Sequence, residues 1–288
     1  MKNQLRIELY KAFKNKILLF SVVLGIVFAV MSAISRLRLF YSDLGMTGIL
    51  AYNQGETKVN PIIQAFTVYS NWIGGESESI GYTLFFNLFP LLAMLPYGWS
   101  FCSELNSGYI KNMIPRTKRT PYFLSKLIAS FLTGGTAILI PLLFSFLLIS
   151  LFVPAMKPNV IYDMYFPFVH GSLFSALVYE HPLIFTGIYL CIDFVFAGLF
   201  ACLPVAMTFF SRNQVAVLVA PFLFVQGCAL LRNFLLYISY VEISPIFLLH
   251  PIPVMNAVKA PVLLGWFLFF TLISVPVILK RGRSFEIF

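Results

Sequence analysis

The sequence predicts an all-α polytopic membrane protein: six transmembrane helices, cytoplasmic N- and C-termini and an amphipathic N-terminal interfacial helix. Three observations lead there. The composition is 59% hydrophobic and 11% charged, with mean hydropathy +0.87, whereas soluble domains carry about 25% charged residues. Apolar stretches recur at 17–34, 81–101, 125–153, 183–210, 215–240 and 262–279, and a helix of roughly 20 such residues crosses a hydrocarbon layer about 30 Å thick. The basic residues, finally, gather in alternate connections. The runs are apolar all round instead of alternating, which excludes a membrane β-barrel.

Residues 1–16 carry Lys2, Arg6, Lys11, Lys14 and Lys16 ahead of the first span. Helical spacing puts Leu5, Leu9, Ala12 and Phe13 on one face and Arg6, Lys11 and Lys14 elsewhere, the pattern of a helix lying in the interface beside anionic headgroups. A cleavable signal peptide is the competing reading of this basic lead and apolar run. It would leave five spans and put Lys280, Arg281 and Arg283 on the wrong side. With six spans, Lys111, Arg116, Lys118, Arg119, Lys126 and Arg212 join the two ends of the chain on one side, fourteen bases in all. The other side holds five, Arg36, Arg38, Lys58, Lys157 and Lys259, with Asp43, Glu56, Glu76, Glu78, Asp163, Glu180 and Glu242. The side richer in bases is cytoplasmic by the positive-inside rule, so a multi-pass protein of a cell membrane is expected. The bilayer also accounts for the net charge of +9 without nucleic acid.

The large external loop is expected over 35–79, with a short surface helix near 61–72. Pro245, Pro251, Pro253 and Pro261 break an apolar stretch that reads as a re-entrant element covered by protein. Trp72 and Trp99 are candidates for interfacial belts. Prolines inside the spans read equally as hinges or as passive packing.

The chain reads as a single transmembrane permease-sized domain, 1–288, with no room for a fused ATPase or kinase. No G-x-x-x-x-G-K-[ST] string is present to cradle nucleotide phosphates, so no cofactor is expected in this chain. Cys102, Cys191, Cys202 and Cys228 lie in or beside apolar runs without metal-ligand spacing and read as packing residues. His170, His181 and His250 are scattered and external. No catalytic or metal set emerges.

Two groups of residues carry the functional argument. The first is the cytoplasmic segment 104–124, broken by Pro115 and Pro121 and rigidly joined to two spans. It reads either as a mechanical contact that moves both helices or as a solvated basic loop that enforces topology. The second is the intramembrane pair Asp193 and Arg232, at similar depth by a rise of about 1.5 Å per residue. An ion pair fixing spans four and five is one reading; a substrate-contacting or proton-linked role is the other.

The spacing Glu104, Gly108, Lys111, Arg119, Lys126 resembles the segment after the second helix in permeases of ATP-binding-cassette (ABC) exporters with the six-helix ABCG-like (type V) fold. The resemblance is closest to permeases of lantibiotic and bacitracin self-protection. Motif identity covers about 25 residues; the order of elements is similar over nearly the whole chain. Two positions depart from the pattern: Pro121 follows the basic group closely, and Tyr109 stands where many relatives have a small hydroxyl residue. The resemblance implies a coupling helix seated in an ABC ATPase subunit, with Glu104 and Gly108 where the helix leaves span two, Tyr109, Lys111 and Asn112 near the ATPase and Arg119 and Lys126 at the start of span three. It also implies ATP and Mg bound by that partner, a second permease chain as homodimer or heterodimer, a bacterial plasma membrane, and an amphiphilic cargo such as an antimicrobial peptide. A proton- or ion-coupled secondary carrier and a non-transporting receptor or assembly subunit are the rival expectations.

Overall fold

The computed structural model describes residues 2–53, 67–113, 119–158, 171–235, 241–252 and 256–282. Arg116 and Lys118, Lys58, residues 61–66 of the stretch 61–72, His170 and Arg283 lie outside the described residues. The chain is helical, and among the described residues the only β pairing is an isolated parallel bridge between Val241 and Ala257. Among the described residues, five helices are long and apolar enough to cross a membrane, which fits a multi-pass membrane protein.

Helix α1 (Lys2–Phe13) packs on the bundle, and Asn15 two residues beyond it caps the next helix, its side chain accepting from Ile17 N at 3.0 Å. Helix α2 (Lys16–Asn53) then runs for 38 residues. At about 1.5 Å per residue it is far longer than the hydrocarbon layer. The expected loop over 35–79 is therefore corrected: residues 35–53 continue the first span's helix. Arg36 and Arg38 mark where the chain becomes polar, which is not where a helix free of proline must stop.

The apolar run 81–101 is not one helix. Helix α4 (Ile80–Met94) is followed by a turn at 95–99 and then by α5 (Ser100–Asn106). Pro96 stands in that turn, where it donates no backbone hydrogen bond. Its carbonyl accepts from Asn15 Nδ2 at 2.7 Å, which ties the break to the start of α2. After α6 (Tyr109–Met113), α7 (Arg119–Ser150) starts six residues before the expected span and claims the end of segment 104–124. Pro121 falls in its first turn, where a missing N–H costs nothing.

Helices α7 and α9 (Pro182–Met207) form the centre. Gly135 lies against the ring of Phe194 and Gly198 against that of Phe131, with the two rings edge-to-face at 5.9 Å. Small residues opposite large ones bring the backbones together, as membrane helices require. Helices α10 (Gln214–Leu235) and α11 (Ala260–Pro276) flank α9 from outside, and only 17% of each span is buried. A π-helical turn, Val277–Arg281, prolongs α11.

One end of the bundle gathers α1, α5, α6, the start of α7 and the end of α11, where Gly282 packs on Phe123. It holds most of the described cations and is termed the basic face. The opposite face is covered by α3 (Val68–Asn71), α8 (Ser175–Glu180) and residues 241–252. Helix α3 is buried, not a surface helix, and Trp72 is 1% exposed against Phe146, so Trp72 is a core residue and no interfacial anchor. Leu248, Leu249 and His250 are buried too, consistent with a proline-broken connection whose backbone is shielded by protein.

Candidate functional site

The strongest concentration of buried charge lies at the basic face. Lys126, about two turns into α7, is fully buried. Its Nζ lies 2.9 Å from Glu8 Oε2 of α1 and 2.9 Å from Glu104 Oε2 of α5. Tyr97, from the turn that divides α4 and α5, donates to Glu8 at 2.6 Å, and Tyr122 of α7 donates to Glu104. Lys11 closes the ring, with Nζ 3.4 Å from Glu104 and 3.7 Å from Glu8. Two acids and two bases are thus balanced, and each side chain comes from an element that the others hold in place. A buried charge persists only when paired and hydrogen-bonded.

The electrostatics follow. Burial alone would raise the Glu104 carboxyl, but Lys126 above all, then the Tyr122 hydroxyl and Lys11, outweigh it and hold the carboxyl below the usual carboxylate range. Burial likewise pulls the Lys11 ammonium down, while Glu104 and Glu8 push it back, and it ends above its ordinary value.

Of the residues singled out in the sequence, Glu104 and Lys126 meet directly. Gly108 has φ +72°, a left-handed conformation that glycine adopts without strain, and it turns the chain from α5 into α6. Tyr109 faces inward: its ring lies 4.4 Å under Lys11 Nζ and its hydroxyl accepts from that ammonium at 3.2 Å. Ile110 is buried beside it, while Lys111 and Asn112 are exposed. Arg119 opens α7. On α1, the expected split of faces is corrected in two places: Phe13 is 47% exposed and Lys11 turns in, drawn by the acids. Helix α5 is also tied to the connection between α9 and α10, since Asn106 Nδ2 donates to the Arg212 carbonyl at 2.8 Å.

The intramembrane pair is not formed. Arg232 lies in the last turn of α10 and binds Glu242, with Nε 2.7 and 2.9 Å from its two oxygens. Its guanidinium stacks on Phe247 at 3.9 Å. Glu242 also accepts from Ile243 N and Ser244 N, both at 3.1 Å, so the pair fastens residues 241–252 to α10. A partner ten residues along the chain outcompetes one on a neighbouring helix, and proximity in depth said nothing about facing. Asp193, fully buried on α9, has no hydrogen-bond partner on either oxygen among the described residues, nor has the hydroxyl of Tyr189 one turn earlier.

Sequence reasoning missed Glu8, Tyr97 and Tyr122. Glu8 carried a usable signal: it falls on the same helical face as Leu5 and Ala12, and an acid on the apolar side of an interfacial helix needs a buried cation. At the opposite face Glu76 was read as merely external. It is buried, accepts from Ser32 and Ser79, and lies 4.0 Å from Arg36; burial raises its carboxyl more than these groups lower it. His250, bonded to Tyr82, is driven down to about 3 by burial and then by Arg232.

No protein-family profile, curated protein or solved structure matches the chain.

Proposed function

We propose that the chain is the membrane-spanning permease subunit of an ATP-driven ABC exporter that moves an amphiphilic substrate outward. Six spans are then completed by α4 with the turn at 95–99 and the start of α5, and both termini are cytoplasmic. One observation carries the reading: Lys126, Glu104 and Glu8 lock α1, α5 and α7 together directly behind α6, whose Lys111 and Asn112 face outward. A load applied to α6 is passed through Gly108 and Tyr109 into two spans and the interfacial helix at once. An exposed loop that only enforced topology would need no such buried, charge-balanced anchor. ATP and Mg belong to a separate ABC ATPase, a second permease chain completes the pathway, and the membrane is a bacterial plasma membrane. These partners and an antimicrobial peptide as cargo rest on the resemblance of segment 104–126 alone. The chain itself is no enzyme in this reading.

Purification of the full chain from its native membrane tests it. A P-loop ATPase is expected to co-purify, and Lys111→Glu is expected to abolish that association while leaving the melting temperature unchanged, because Lys111 is exposed. An unaltered association in Lys111→Glu, or the absence of any ATPase, overturns the proposal. A second reading, a proton- or ion-coupled carrier, is favoured by one observation: the buried Asp193 carboxyl has no hydrogen-bond partner among the described residues.

A further inference from the structure

The outer helices leave a groove on the lipid-facing side, in the half of the bundle nearer the basic face. Leu203 and Ala206 of α9 form its floor, Ala220 and Pro221 of α10 one wall, and Ile273 and Val277 the other. Its volume is about 310 Å³, at the lower end of the roughly 300–1,000 Å³ usual for small-molecule sites, and its lining is wholly apolar. Two features bound it along the membrane normal. Toward the middle, Phe224 of α10 stacks on Phe269 of α11, with centroids 6.1 Å apart and planes 19° apart. Toward the basic face stands Phe210, 62% exposed, with the guanidinium of Arg281 over its ring at 4.2 Å. Lys280 is exposed at the same end.

A slot that is greasy inside and cationic at one rim matches one chemistry. We propose that it holds an acyl chain of an anionic phospholipid from the leaflet at the basic face, with the headgroup phosphate beside Arg281. A zwitterionic lipid satisfies the apolar part and gains less from the rim. A helix of a second copy fits worse, because it would have to run the full height of the span, and the Phe224–Phe269 stack stops the groove short. Arginine suits the rim: its planar fork binds phosphate oxygens while its face remains on Phe210. Bound there, the lipid would wedge between α10 and α11 and govern how closely they approach.

The test uses the full chain purified in detergent and titrated with phosphatidylglycerol or phosphatidylcholine, bound lipids being counted by native mass spectrometry. The first phosphatidylglycerol is expected to bind about fivefold tighter than phosphatidylcholine, the gain from roughly one cation beside an anionic headgroup. Arg281→Gln should erase that preference and leave phosphatidylcholine binding as it was. Ala220→Trp, on an exposed wall position, should weaken both lipids, and Ile273→Trp should do the same if Ala220→Trp fails to fold. Val23→Trp, on an exposed stretch of α2, should change neither. Equal affinity for the two lipids in the native protein, or full phosphatidylglycerol binding in the folded groove variants, overturns the proposal. So does a dimer, free of lipid, that Ala220→Trp or Ile273→Trp dissociates, since a second copy then fills the groove.

Discussion

Replacing Lys126 by Met is the sharpest perturbation of the clamp at the basic face. Met is close in length and keeps the packing, but it leaves Glu8, with 4% of its side chain exposed, and Glu104, with 14%, facing each other without their shared cation. Breaking a buried pair from one side costs about 3–5 kcal/mol. Lys11 remains within 3.4 Å of Glu104 and 3.7 Å of Glu8 and offsets part of this, so the lower bound, about 3 kcal/mol, is expected. In thermal unfolding of the solubilised chain that corresponds to a fall of roughly 6–12 °C. Adding Glu104→Gln to Lys126→Met removes one orphaned charge and should restore about 1–2 kcal/mol, a non-additivity that independent sites do not produce.

The pH dependence gives a second check on the same variant. In the native protein the Glu104 carboxyl lies below its ordinary value. Its stabilisation is therefore fully present above the unfolded carboxyl pKa, about 4.3, and is lost only as pH falls through the lower folded value. Without Lys126, burial dominates and the carboxyl moves upward, so ionisation now opposes folding. The deficit of Lys126→Met should be greatest at neutral pH and shrink toward pH 5. A deficit under about 1 kcal/mol at neutral pH, or one that grows on acidification, would refute a buried, charge-balanced clamp.

At the opposite face, Arg232→Met should destabilise by about 3–5 kcal/mol because Glu242 is left buried without its ion-pair partner, and the double variant Arg232→Met, Glu242→Gln should melt higher than the single one. Asp193→Asn removes no hydrogen bond found among the described residues, so a stability change within about 1 kcal/mol is expected. Export by the assembled ATP-driven complex should persist in that variant, measured in vesicles loaded with ATP. Loss of export with unchanged melting would favour the ion-coupled carrier instead.

The fold class was legible because it rests on a solvent property: apolar residues in runs of about 20 must meet lipid, and the runs were long and unambiguous. Boundaries were not, since hydropathy marks where a membrane ends and not where a helix does. Residues 35–53 stay helical after turning polar, and Pro96 breaks a run that composition presents as continuous. The buried site was half legible. Spacing drew attention to Glu104 and Lys126, but their partner Glu8 lies 118 residues from Lys126 along the chain, a separation no local pattern spans. The Asp193–Arg232 pair failed for the complementary reason: depth along a helix is read from counting, whereas facing depends on rotation and on nearer competitors such as Glu242.

Lys126 is where these two kinds of information collide. Counted along the sequence, it is one more cation on the basic side, interchangeable with Lys111. In the fold the two differ completely, one fully buried between carboxylates and the other exposed on α6. A substitution at Lys126 therefore perturbs stability and any transmission of force together, and loss of transport there would say nothing about contact with an ATPase. Lys111 and Asn112, whose side chains are exposed on α6, separate the two. If force enters through α6, charge reversal at Lys111 uncouples a protein that still melts normally, while Lys126→Met uncouples it only by loosening α1, α5 and α7 from one another.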